Sequence, residues 1–234
     1  MVSLNLIVEE TIEAIRSRSR KTRKNYLDRL KWMETDPDSN RGMIGCSNLA
    51  HAAAGMVDES SEILSGQKPN VAIITSYNDM LSAHQPFEKT PAVLKAAVRQ
   101  AGGTAQVAAG VPAMCDGITQ GRPGMELSLP SRDAIAMATA VGLSHGVYDA
   151  AMCLGVCDKI VPGLVIGALC HGHIPMIMVP AGPMSSGLPN AEKAAIRQQF
   201  AQGKIGREEL LKAESALSLI HISEPTRPER LGCG

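Results

Sequence analysis

Two cysteine-aspartate pairs carry the chemistry most easily read from this chain: Cys115-Asp116-Gly117 and Cys157-Asp158-Lys159. Each closes an apolar run and sets a soft thiolate donor beside a hard carboxylate. Thiolates select iron-sulfur clusters or zinc, and carboxylates select magnesium or manganese. The two pairs therefore read as halves of one metal site that needs both kinds of ligand. Zinc sites usually repeat closely spaced cysteine pairs. Cys153 and Cys157 have a permitted spacing, but side chains alternate along a strand, so Cys153 is expected to be a buried strand residue. Cys170 and Cys46 receive the same structural reading. Two plain alternatives stay open at this stage. Asp116 before Gly117 would also suit a turn, and Lys159 would also suit the exposed start of a helix.

Other polar groups crowd the loops near these pairs. Ser76 to Gln85 includes Asn78, Asp79 and His84, more polar side chains than a turn requires. Ser131-Arg132-Asp133 reads as a helix N-cap with a solvated pair. Asn78, Asp79, His84, Ser131 and Arg132 are thus candidates for contacting a substrate. His171 and His173 fall at a helix end, where a protonated imidazole is favourable, and are read as capping or surface groups.

The elements that must position these residues form a regular rhythm. Strands are predicted over 71–75, 104–109, 150–156 and 174–179, separated by helices over 86–101, 131–143 and 162–170. Further helices follow over 190–202 and 207–217. Continuous apolar strands alternating with helices indicate an α/β fold with a parallel or mostly parallel sheet covered on both faces. A helical segment, residues 1–66, precedes it. In such a sheet all strand-to-helix loops meet at one edge, where ligands bind. The Pro/Gly/Ser turn at 180–187 is expected there too.

Bulk properties narrow the function. Lys plus Arg and Asp plus Glu each number 23, giving zero net charge and no electrostatic footprint for nucleic acid. The basic run Arg16 to Lys24 is read as a solvated helix face. No apolar run reaches the roughly 18 residues of a membrane span. No secretory signal is seen, and the 6 Cys do not form a disulfide framework, so a cytoplasmic setting is expected. Residues 217–234 carry prolines and neither period, and are read as an artefactual, disordered tail in which His221 and Cys233 have no function.

Four stretches, Ser76 to Pro86, Gly110 to Gly121, Gly124 to Leu129 and Leu154 to Gly163, resemble the iron-sulfur dehydratases of the dihydroxy-acid/phosphogluconate family, and within it the phosphogluconate branch. The likeness runs from about residue 5 to 216, with residues 67–216 forming an incomplete N-terminal α/β domain. The resemblance implies a hydro-lyase acting on a sugar-acid phosphate in the Entner-Doudoroff route. It implies an iron-sulfur cluster, 4Fe-4S in this branch, serving as Lewis acid, together with Mg2+. It further implies Cys157 as a cluster ligand and Asp116, Asp158 and Lys159 at the magnesium positions, the lysine carbamylated. Asp116 and Lys159 would thus act in catalysis through the metal. A homodimer is implied for the full-length protein. The alternatives are a dihydroxy-acid or sugar-acid dehydratase, or a non-catalytic sugar-phosphate-binding domain.

Two departures from the family pattern matter. Dihydroxy-acid dehydratases carry a cluster cysteine where this chain has Tyr77, and Cys115 is our candidate for the missing thiolate. The family's Gly-Thr-Cys-Thr motif and its C-terminal domain, with the base and a further acidic ligand, are not found. The chain by itself is therefore expected to hold cluster and magnesium poorly and to be inactive.

Overall fold

The computed structural model describes residues 5–36, 41–181 and 188–218. A long helix, α1 (Leu6–Thr35), is followed by α2 (Cys46–Ala54) and α3 (Ser60–Ser65). The alternating part then runs β1 (Asn70–Thr75), α4 (Thr90–Gln100), β2 (Thr104–Gly110), α5 (Asp116–Thr119), α6 (Ser128–Leu143), β3 (Ala150–Leu154), α7 (Ile160–Leu169) and β4 (Met176–Val179). Helices α8 (Asn190–Ala201) and α9 (Arg207–Ser218) follow.

The four strands form one sheet in the order β2-β1-β3-β4, and every pairing is parallel. The chain leaves β1 toward β2 and returns to the other side of β1 as β3. That reversal is the topological switch point, where open α/β sheets bind ligands outside the carboxyl ends of their strands. Central β1 is apolar without alternation, as a strand covered on both faces must be. Ala72 and Ile74 pack with Ala151 and Cys153 against Ile135, Leu143, Ile160 and Leu164 of α6 and α7. Val71, Ile73 and Leu154 pack on the opposite face with Phe87, Leu94 and Val98. The expected α/β fold with helices on both faces is the fold observed, and its sheet is parallel.

Glycine governs how closely α6 and α7 approach. A Cβ at Gly163 would lie 2.8 Å from the Arg132 carbonyl oxygen and from Ile135 Cβ. One at Gly167 would lie 2.5 Å from the Ala136 carbonyl oxygen. The two helices therefore touch backbone to backbone, and this fixes where the N-terminal end of α7 points.

Several boundaries differ from the sequence reading. The helix expected from residue 86 begins at Thr90, after a 3-10 turn over Gln85–Glu88. Pro91 has no N–H for a continuing helical bond, so one helix cannot run through both segments. Helices α6 and α7 begin earlier than expected, at Ser128 and Ile160. Pro130 and Pro162 sit in their first turns, where a missing N–H costs nothing. Ser131 is thus no N-cap; it lies inside α6 and donates to the Ser128 carbonyl at 2.6 Å. Strand β3 stops at Leu154, because Thr75↔Leu154 is its last pairing with β1.

Among the thiols, Cys153 is fully buried, Cys170 is half-buried and Cys46 is exposed, so the buried reading fails for Cys46. The basic run on α1 is solvent-exposed, as read. Helix α1 meets α7 through the Tyr26 hydroxyl, which donates to the Leu169 carbonyl at 3.0 Å. Most of the turn after β4 and of the 217–234 tail, including His221 and Cys233, lies outside the described residues. Gly167→Ala is expected to destabilise the chain by about 2 kcal/mol or more, because backbone cannot move aside as a side chain can. Chemical denaturation of the variant checks this.

Candidate functional site

The loops after β1, β2 and β3 meet at the carboxyl edge of the sheet. Strand β3 is followed by Gly155, against which the side chains of Leu164 and Ile160 pack closely. A Cβ there would lie 2.5 Å from Leu164 Cδ1. Cys157 comes next with φ 75, and among the described residues it is the non-glycine residue with positive φ. A left-handed conformation costs a non-glycine residue roughly 1–2 kcal/mol, and such strain tends to collect at functional sites. Helix α7 then begins, with the Cys157 carbonyl accepting from Val161 N at 3.2 Å.

Lys159 occupies the N-cap of α7. A cation there opposes the helix dipole, so other charges must hold it. Its Nζ donates to Asp116 and also to Asp158, the latter at 3.1 Å. Its side chain is only 15% exposed, so the reading of Lys159 as an exposed helix start is overturned. Asp116 opens α5, and its other oxygen accepts the Ser128 hydroxyl at 2.7 Å. Asp116 is therefore no simple turn residue, since it joins the β2 loop to α6 and α7. Ser128 was missed by the sequence reading. A serine twelve residues beyond Asp116 has no periodic signal, and only the start of α6 brings it back.

Charge follows geometry here. Burial pushes the Asp116 carboxyl up, but hydrogen bonds from Lys159 and Ser128 outweigh it and hold the group below its ordinary value. Burial pulls Lys159 down, but bonds to Asp116 and Asp158 outweigh that and hold it above its ordinary value. The Cys157 thiol is pushed up to about 11, first by burial and then by nearby Cys115 and Asp158, against the opposing pull of Lys159. Cys115 and Cys157 both pack against the same buried core. A thiol so raised is protonated at neutral pH, and binding a metal there must release its proton.

The remaining candidates divide. Asn78 caps its own loop by accepting from Met80 N at 2.8 Å, and Asp79 accepts the Tyr77 hydroxyl at 2.6 Å. That bond, then burial, pushes the Tyr77 phenol up to about 12. Both residues lie on the β1 loop beside the switch point. His84 is fully buried and faces Val156 instead of solvent. Arg132 pairs with its neighbour Asp133 at 3.3 Å. His171 and His173 are half-buried. A cleft of about 620 Å³, lined in part by Asn48, His51, Gln106, His145 and Tyr148, contains none of the candidate residues.

The donor set is of two kinds. Two carboxylates and a lysine converge on one point, and two thiols stand beside them. Among the described residues no group of three His, Cys, Asp or Glu side chains is placed to hold a metal ion unaided. An ammonium cannot ligate a hard cation, so Lys159 joins such a site only once its nitrogen carries an oxygen-bearing group.

Two outcomes follow from this geometry. Stability from a depressed carboxyl is present above the unfolded Asp value of about 3.9 and is lost as pH falls through the lower folded value. The raised Lys159 contributes in the same sense below about pH 10.4, losing its part as pH rises through the higher folded value. The difference in melting temperature between the parent and Asp116→Asn is therefore expected to be flat from about pH 5 to 9 and to shrink at lower pH. It should correspond to at most about 1 kcal/mol, because Asp116 is partly solvated. Separately, Cys157→Gly should leave stability unchanged or raise it, whereas Cys153→Gly should cost roughly 2 kcal/mol by emptying a core site; paired thermal melts compare them.

Residues 68–219 match the family model described as dihydroxy-acid/6-phosphogluconate dehydratase N-terminal. The chain is 61% identical over 199 residues to the phosphogluconate dehydratase of Rhizobium meliloti, covering 85% of this chain and 33% of that protein. It is 53% identical over 216 residues to the phosphogluconate dehydratase of Zymomonas mobilis, covering 92% and 35%. Against the dihydroxy-acid dehydratase of Akkermansia muciniphila it is 39% identical over 171 residues, covering 69% and 29%. The chain spans about a third of the length of the curated relatives it matches. With its parallel sheet and its Cys-Asp loops at the carboxyl edge, the chain belongs to the dihydroxy-acid/6-phosphogluconate dehydratase N-terminal family.

Proposed function

We propose that this chain is the N-terminal part of a phosphogluconate dehydratase of the Entner-Doudoroff route. The full-length protein would eliminate water from 6-phospho-D-gluconate to give 2-dehydro-3-deoxy-6-phosphogluconate. The observation that carries the proposal is the junction of Asp116, Asp158 and Lys159 beside Cys115 and Cys157, in a chain 61% identical to a phosphogluconate dehydratase. The higher identity to that branch than to the dihydroxy-acid dehydratase supports the phosphorylated substrate.

Cys157 and Cys115 would hold an iron-sulfur cluster, 4Fe-4S in this reading, and Asp116, Asp158 and a carbamylated Lys159 would hold Mg2+. When bound, the cluster would supply Lewis acidity to the departing C3 hydroxyl. Asp116 positions Lys159 and is itself oriented by Ser128. Asn78 and Asp79 present polar atoms at the switch point, where an open α/β sheet takes its ligand. Ser131 and Arg132 lie in the first turns of α6, near Ser128 in sequence, and remain proposals for the sugar-acid phosphate. The group that removes the C2 proton is assigned to the part of the relatives' length outside this chain. A cytoplasmic homodimer completes the reading.

The test uses the full-length protein, loaded anaerobically with iron and sulfide and assayed for the 2-oxo product. Turnover of 6-phosphogluconate over dihydroxy acids and non-phosphorylated sugar acids is expected. Preference for a dihydroxy acid would overturn the substrate. Cys157→Ser and Cys115→Ser should each lower cluster content, read by iron analysis and visible absorption. Full cluster content in Cys115→Ser would remove Cys115 from the ligand set.

A further inference from the structure

We propose that His84 is a positioning residue: it clamps the Val156 main chain and so sets the left-handed turn that aims the Cys157 thiol. Cys157 holds φ 75 although it has a Cβ. A strained residue persists only where its surroundings over-determine it, so the peptides leading into it must be fixed. The preceding ones are. The Leu154 carbonyl accepts both the Ser76 backbone N–H, at 3.1 Å, and the Ser76 hydroxyl, at 2.7 Å. Gly155 N donates to the Val179 carbonyl at 3.3 Å. Val156, the last residue before the turn, lies beyond the β3 ladder, and a side chain meets it instead.

That side chain is His84, seventy-two positions earlier. Its Nε2 lies 3.1 Å from the Val156 carbonyl oxygen and 3.4 Å from the Val156 amide nitrogen. With its proton on Nε2 the ring donates to the carbonyl; with its proton on Nδ1 it accepts from the amide. Either neutral tautomer therefore holds the main chain of the same residue, the first at the peptide that leads into Cys157 and the second at the one before it. The imidazole is itself well anchored. His84 N donates to the Leu81 carbonyl at 2.8 Å, Phe87 N donates to the His84 carbonyl at 3.1 Å, and the ring packs on Phe87 with centroids 5.9 Å apart.

A second observation argues that this contact is selected for more than packing. His84 is fully buried, and among the described residues its Nδ1 has no hydrogen-bond partner. A leucine would fill similar space without an orphaned polar atom, and a buried unsatisfied atom calls for an explanation. The bond from Nε2 to Val156 supplies it. The loops after β1 and β3 are thereby locked across the switch point, one residue before the thiol. That the aimed thiol serves a cluster rests on the functional reading above; the clamp itself does not.

The test needs neither cluster nor substrate. The 234-residue chain is alkylated with iodoacetamide under native conditions, and each cysteine is followed by peptide mass spectrometry. Cys46, exposed, serves as the reactive reference, and Cys153, fully buried four residues before Cys157, reports global opening. In His84→Leu, Cys157 is expected to react about tenfold faster than in the parent while Cys153 stays protected, the pattern of a local opening. His84→Gln, whose amide reaches the Nε2 position, should restore the parent rate. His84→Asn, too short to reach Val156, should behave like the leucine variant and gives a second reading if that variant does not fold. An unchanged Cys157 rate in both the leucine and asparagine variants would overturn the proposal. So would acceleration of Cys153 alongside Cys157 in the asparagine variant, or a glutamine variant that fails to restore protection. Failure of the dehydratase assay would leave this result standing, and failure here would leave that assay untouched.

Discussion

The contact between α6 and α7 is the constraint on which the site depends. Gly163 and Gly167 bring the backbone of α7 directly against α6, one approach being limited by the Arg132 carbonyl and Ile135 and the other by the Ala136 carbonyl and Thr139. The first residues of α7 are thereby placed against the first residues of α6. Lys159 sits at one of these ends and Ser128 at the other, and Asp116 reaches both. A small sideways shift of α7 would break the Asp116 bridge, because hydrogen bonds tolerate only a few tenths of an ångström. Close packing in the core thus sets polar geometry at the sheet edge.

The polar edge is an arrangement of opposed preferences. An ammonium at a helix N-cap is disfavoured by the dipole, yet two carboxylates hold it there and keep it more basic than usual. A thiol next to this charge would be expected to ionise more readily. Burial and its neighbours Cys115 and Asp158 instead drive Cys157 the other way. The site is one ammonium shared by two carboxylates beside protonated sulfur. Any metal bound through this thiol would have to displace its proton first.

Strain and polarity are concentrated in the same few residues. Cys157 is left-handed, Gly155 is closely packed by Leu164 and Ile160, and His84, which buries an unpaired nitrogen, bonds Val156 between the two. Local rules of sequence and structure are broken at Cys157 and His84. Departures of this kind are expected where function and not stability sets the residue.

Much of this was legible before the fold was known. Apolar runs at strand length, alternating with helical periods, determined an α/β architecture, because a strand covered on both faces must be apolar throughout. The Cys-Asp pairs singled out two loops that the fold does bring together, through Asp116, Asp158 and Lys159. Helix starts were less legible: Pro130 and Pro162 looked like openings, while the first turns begin at Ser128 and Ile160. Tertiary structure alone decided the rest. It brought Ser128 to Asp116, turned Lys159 away from solvent, and withdrew His84 from the surface into the space between two loops. No local signal carries such information, since each contact joins residues far apart in sequence. Their meeting depends on strand order and on how closely two helices can pack.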